Sequence, residues 1–348
     1  LNIQDFLAAV GVVINGLPQG LLALTFGFAS VPTAIAFIIG AIGCGALNLV
    51  APISFQAETI TLAGTMGSNL RERLSMIFFG GAIMALIGIF GALEAIVNFV
   101  GPVITNGMMA GVGIMLTRVA INMTRDNKPV GFASIAVGLA VYVLTKDLVY
   151  TIVSSVVISS IISGLLKQDK HIISDVNDRF QLQKFVVNPA VIRGALAMVC
   201  LNIGANIAFG NITGSIANRP VNIDHLAIVS SLADMGSSLF GGGPVESIIS
   251  ATGAAPNPVA AGVIMMGLMA AILLVGLLPK IGKHVPAESI SGFLLVLGAI
   301  VTVPINTKMA MSDPLVGGVT LAVTATADPF LGMVSGVIIK FIVSTIGM

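Results

Sequence analysis

Apolar residues run along this chain in stretches of roughly 15 to 25, separated by short glycine- or charge-bearing turns, with no sustained two-residue alternation. Runs of that length predict membrane-crossing helices over 5–25, 31–50, 74–90, 102–121, 131–144 and 148–166. After a polar stretch from Lys167 to Asn188 the pattern resumes over 191–216, 226–240, 258–278, 288–303, 314–326 and 330–346. Two further segments are short and interrupted: the third, APISFQAETITLAG (51–64), and the tenth, LFGGGPVESIISATG (239–253). The apolar part of the tenth suits about two to three helical turns, roughly half a bilayer crossing. The stretch GALEAIVNF (91–99) reads as interfacial. Fourteen segments result.

The two halves repeat each other. GALEAIVNFVGPVITNGMMAGVG from Gly91 aligns without gaps to GLLPKIGKHVPAESISGFLLVLG from Gly276, with Gly107/Gly292 and Gly113/Gly298 coinciding at an offset of 185. Asn15 and Gln19 correspond to Asn202 and Asn206, and Glu58 to Glu246. An odd number of spans per copy inverts the second copy in the membrane. The expected domains are therefore a first repeat over 1–166, an inter-repeat linker over 167–188 carrying Lys167, Lys170, Asp175, Asp178, Arg179 and Lys184, and a second repeat over 189–348. Paired broken segments at matching places are the sequence mark of a secondary transporter with its site near the midplane.

Composition agrees: the chain is 56% hydrophobic and 9% charged, with a mean hydropathy of +1.04. A soluble domain carries about 25% charged residues, so this is an integral membrane protein. Net charge of +1 gives no case for nucleic acid. Cys44 and Cys200 lie inside apolar spans and read as packing residues. The three histidines are scattered without metal-ligand spacing, and no nucleophile–base pair stands out, so no enzyme is expected. Nothing resembles the filter loop of a channel. The first span reads as mature structure without a cleavable leader, with no soluble domain after Met348. Arg71, Arg73, Arg125, Lys128, the Lys167–Lys184 linker, Lys280 and Lys283 fall on the face opposite the first and last residues; the positive-inside rule would put that face in the cytoplasm, and the repeat by itself leaves the orientation open.

Acids at membrane depth are functional by default, which singles out Glu246 and Glu58. Each can accept from a solute N–H when ionised and donate when protonated. Gln56, Asn206 and Asn211 could add amide contacts, and Gly241 to Gly243 could let backbone approach a ligand. Asn15, Gln19, Asn202 and Asn206 could equally serve only helix–helix hydrogen bonds. Asp234 reads as a core residue paired with backbone, and Arg118 and Lys340 as snorkelling side chains.

LADMGSSLFGGGPVESIISATG, with Val245-Glu246-Ser247, and the C-terminal DPFLGMVSGVIIKFIV resemble the nucleobase/ascorbate permeases of the xanthine–uracil type, purine branch. That resemblance implies a core domain (1–90 plus 189–278) and a gate domain (91–166 plus 279–348), with substrate between the third and tenth half-helices. It also implies proton coupling, with sodium as the alternative ion, and a homodimer through the gate. Two departures matter: FGNITGSI offers Asn211 where the family carries an acid, and the short tenth segment leaves Ser250 or Glu246 at the family's glutamate position. INGLPQGLLAL and SLFGGGPV resemble the sulfate-permease family, which shares the fold. The expectation is a proton-coupled nucleobase permease of the cell (inner) membrane with elevator-like motion. The alternative is a sulfate-permease-like anion or organic-acid transporter. The expected substrate contacts are Gln19, Gln56, Ala57, Glu58, Asn206, Asn211, Gly243, Glu246, Ser247 and Ser250, with Glu246 and Glu58 coupling; no metal or organic cofactor is expected.

Overall fold

The computed structural model describes residues 2–166 and 178–346. Lys167, Lys170 and Asp175 of the linker, and both chain ends named above, lie outside the described residues. The first half runs α1 (Ile3–Thr25), α2 (Ser30–Ala46), β1 (Ile53–Ser54), α3 (Ala57–Met66), α4 (Leu70–Ile89), α5 (Leu93–Val100), α6 (Pro102–Asp126), α7 (Lys128–Thr145) and α8 (Leu148–Leu165). The second half runs α9 (Pro189–Ile216), α10 (Ile223–Leu239), β2 (Glu246–Ser247), a 3-10 turn (Ala251–Ala254), α11 (Pro258–Leu274) and α12 (Leu277–Gly282). It closes with α13 (Ala287–Ala310), α14 (Pro314–Thr326) and α15 (Pro329–Ile346). Eight of these helices are long and apolar enough to cross a membrane, and α2, α11 and α14 are shorter apolar helices. The chain is a multi-pass helical membrane protein.

Local chemistry sets the helix starts. Asn2, Asn69, Asn127, Asp147, Asn188, Asn222 and Asp313 each accept from a first-turn N–H of the helix they precede. Pro102 and Pro258 occupy first-turn positions where no N–H is missed. Within α13, residues Val296–Thr302 widen into a π-helix immediately before Pro304. Proline removes a donor and crowds the preceding turn, and a wider turn relieves both.

The helices pack in two groups. One joins α2, α4, α10 and α11 with α1 and α9; the other joins α6, α7 and α8 with α13, α14 and α15. Without a hydrophobic drive between helices in lipid, close approach needs small residues. Gly107 and Gly111 of α6 accordingly lie against the backbone and threonines of α14. Arg118 donates to the Ala325 carbonyl (3.1 Å) and Lys340 Nζ to that of Phe99 (2.8 Å). Both satisfy helix-end carbonyls that would otherwise lack donors.

Residues 178–188 form an extended strap over the first group. Gln183 N–H donates to the Leu239 carbonyl (2.9 Å) and Val186 N–H to Ser75 Oγ (3.0 Å), while Phe185 stacks on Phe78 at 4.3 Å between centroids. Asp178 Oδ1 accepts from Val31 N–H (2.6 Å), and burial pushes its carboxyl above the ordinary range.

Candidate functional site

The two broken segments meet. β1 and β2 pair antiparallel, Ile53 opposite Ser247 and Ser54 opposite Glu246, and Ile248 N–H extends the ladder to the Pro52 carbonyl at 3.1 Å. Unwound backbone inside a bilayer must find its partners within the protein, and each segment supplies them to the other. The third segment then continues into α3, but the tenth does not form the short helix expected. Ile248 is committed to the ladder, Ser250 N–H donates to Thr213 Oγ1 (3.2 Å), and only one 3-10 turn follows, its Thr252 N–H held by Ser250 Oγ (3.2 Å). Asn257-Pro258 then starts α11. The glycines before it also serve packing: Gly241 adopts φ +96°, and a Cβ on Gly242 would lie 2.6 Å from Thr33 N at the start of α2.

Beside this crossing lies a cavity of about 380 Å³, lined from both helix groups. From the first come Asn15, Gly16 and Gln19 on α1, Ser54, Phe55, Gln56 and Glu58 on the third segment, Phe209 on α9, and Ile248 and Ile249. From the second come Asn106 and Met109 on α6, Leu148 and Ile152 on α8, and Leu297, Val301, Thr302 and Asn306 on α13. Gln19 binds α1 to α3: its Oε1 accepts from Ala57 N–H at 2.8 Å. Glu58 is 5% exposed, and its Oε2 has no hydrogen-bond partner among the described residues.

Gln19, Gln56 and Glu58 thus line the cavity, and seven other named positions do not. Ala57 contributes only its N–H to Gln19. Glu246 is fully buried and does not line the cavity; its Oε1 accepts from Ser247 N–H (3.2 Å). Asn202, with its amide nitrogen turned to the acceptors, donates to Glu246 Oε2 and to the Met198 carbonyl (3.2 Å). Asp234 Oδ1 accepts from Val245 N–H (2.8 Å), and Asn206 meets Ser230 (3.4 Å) and the Asn202 carbonyl (2.9 Å). Gly243 N–H goes to Thr33 Oγ1 (2.8 Å), Ser250 caps the 3-10 turn, Ser247 lies in the ladder and Asn211 is exposed. Sequence reasoning did not select Asn106, Met109, Phe209, Thr302 or Asn306; an amide within an apolar span, the signal that marked Asn15, also marks Asn106 and Asn306. No group of three or more His, Cys, Asp or Glu is placed to hold a metal among the described residues.

The chain is thus a polytopic helical bundle whose two broken segments pair beside a cavity that two helix groups line. Among solved structures, the chain is similar to the transmembrane domain of a cyanobacterium bicarbonate transporter, BicA, at 14% identity and TM-score 0.70, covering 96% of both chains. It is similar also to solute carrier 26 family member A9 at 14% identity and TM-score 0.74, covering 99% of this chain and 65% of that one. A third match is the murine form of that anion transporter in the inward-facing state, at 16% identity and TM-score 0.72, covering 99% of this chain and 68% of that one. No family model matches the chain, and neither does any curated protein. The sulfate-permease fold is supported, whereas the nucleobase/ascorbate resemblance finds no support among these structures.

Proposed function

We propose that this protein is a secondary transporter that carries a small anion or organic acid across a cell membrane by displacement of the α1–α4/α9–α11 group against the α6–α8/α13–α15 group. The observation that carries this reading is the cavity itself, which both groups line and whose inner wall is the crossing of the two broken segments. A site built on such a seam is closed on one side and opened on the other when the groups shift. The names of the similar structures, a bicarbonate transporter and an anion transporter, favour an anion over a nucleobase. Proton coupling at Glu58 and Glu246, and a homodimer through the second helix group, belong to the same proposal. The experiment is uptake into proteoliposomes of radiolabelled bicarbonate, sulfate and short organic acids. Saturable uptake of any one, abolished by a bulky Gly16→Leu substitution in the cavity wall, is the expected result; leakage equal to empty liposomes for all of them defeats the proposal.

A further inference from the structure

Several of the backbone N–H groups that a bare anion needs at a helix N-terminus are already used by the protein. On the third segment, Ala57 N–H donates to Gln19 Oε1 (2.8 Å), and Glu58 N–H turns onto its own carboxylate. On the tenth, Val245 N–H donates to Asp234 (2.8 Å), Ile248 N–H to the Pro52 carbonyl (3.1 Å) and Ser250 N–H to Thr213 (3.2 Å). Acceptors face the cavity instead. Glu58 Oε2 and Asn15 Oδ1 are buried atoms without partners among the described residues. Asn106 and Asn306 donate their Nδ2 back to the carbonyls of Pro102 (2.8 Å) and Thr302 (2.7 Å), which leaves their side-chain oxygens available to the cavity. Among the described residues, the lining contains no Lys, Arg or His, and Glu58 is its only ionisable side chain.

A buried acceptor left unpaired is costly, and a carboxylate more so. A solute that completes this site must therefore bring hydrogen-bond donors. Sulfate and bare carboxylates bring acceptors and negative charge against Glu58. Resting on the transport reading above, we infer that the cavity takes a short hydroxy acid together with one proton, shared between the solute carboxylate and Glu58, and does not take a bare inorganic oxyanion. The acid enters as its carboxylate, and one solvent proton forms the O–H that bridges the two carboxyl groups. The solute hydroxyl donates to Asn15 Oδ1, and the short carbon chain lies against Val12, Met109 and Ile152. On release the proton departs with the acid and Glu58 returns to carboxylate; no other bond changes. The titratable group that faces Glu58 is Glu246, which in turn faces Asp234. No charged residue of α1, α4, α6 or α9 lines the cavity.

The test is binding to the purified chain in detergent, with lactate and sulfate as probes, followed by thermal shift or calorimetry between about pH 7 and about pH 8.5, where lactate is ionised throughout. One proton taken up with the ligand requires lactate affinity to rise about tenfold per unit fall in pH, by linkage. Sulfate should neither stabilise the protein nor compete. Glu58→Gln should flatten the pH slope while keeping the unliganded melting temperature within a few degrees. Sulfate binding at comparable affinity, a pH-independent lactate affinity, or binding of neither overturns the inference. The comparison of the two probes on the unmodified chain needs no variant. Lactate that binds with the expected slope but is not moved in proteoliposomes defeats the transport reading and leaves the recognition intact.

Discussion

At the scale of single residues, the site depends on side chains that satisfy backbone rather than on charge pairs. Gln19 is 6% exposed and spends its carbonyl oxygen on Ala57 N–H, the first amide of α3. Replacing it with leucine keeps the volume but leaves that N–H buried without an acceptor, a loss of about 1–3 kcal/mol. Gln19→Leu should lower the melting temperature and weaken solute binding together, because α3 loses its register against α1. Asn202 plays the corresponding part for Glu246. Asn202→Leu strands a buried carboxylate, and the loss should exceed that of Gln19→Leu. A double-mutant cycle with Glu246→Gln should return a coupling of about 0.5–3 kcal/mol. A coupling indistinguishable from zero would show that the two side chains do not depend on each other.

At the scale of elements, the long helices were legible because lipid demands long apolar runs, and their starts were legible where Asn or Asp precedes the run, as at Asn188 and Asn222. The inner crossing was legible only in part. Pro52, Pro244 and the glycines marked both segments as broken, but nothing in ESIISATG separates a half-helix from a strand followed by a 3-10 turn. The decision rests on partners remote in sequence: Pro52 and Ile53 across the ladder and Thr213 on α9. The same limit hid the role of 178–188, where composition reads as a solvated linker. Its order comes from Phe185 meeting Phe78, Ser75 meeting Val186 N–H, and Arg71 donating to the Lys184 carbonyl. Phe185→Ala should therefore loosen the strap, by about 1 kcal/mol for the lost aromatic pair, and speed its cleavage by added protease without lowering helix content. In the second helix group, a Cβ on Gly292 would overlap the Ser134 carbonyl of α7. Gly292→Ala should destabilise by about 1–3 kcal/mol, as overpacking does, read as a lowered melting temperature; an unchanged one would mean the helices can separate freely.

At the scale of the whole molecule, the contacts across the seam between the two helix groups decide how they can move. One is an ion pair: Arg193 Nε on α9 lies 2.5 Å from Asp328 Oδ2 at the start of α15. The partners are unequal, since the Asp328 side chain is fully buried and that of Arg193 is 47% exposed. Asp328 also caps α15 through Leu331 N–H (2.9 Å). Removing the arginine alone leaves a buried carboxylate without its cation, so Arg193→Met should destabilise the fold. Asp328→Asn removes the charge but keeps a capping oxygen. A pair with one solvated partner contributes about 0.2–1 kcal/mol. If relative displacement of the groups separates Arg193 from Asp328, the resting state loses that stabilisation in Asp328→Asn while the separated state does not. The expected outcome is uptake faster by at most about fivefold, the rate equivalent of 1 kcal/mol, with little change in melting temperature. Slower uptake, or an unchanged rate in a variant of unaltered stability, would mean that the pair stays closed throughout the cycle and that α9 and α15 move as one body.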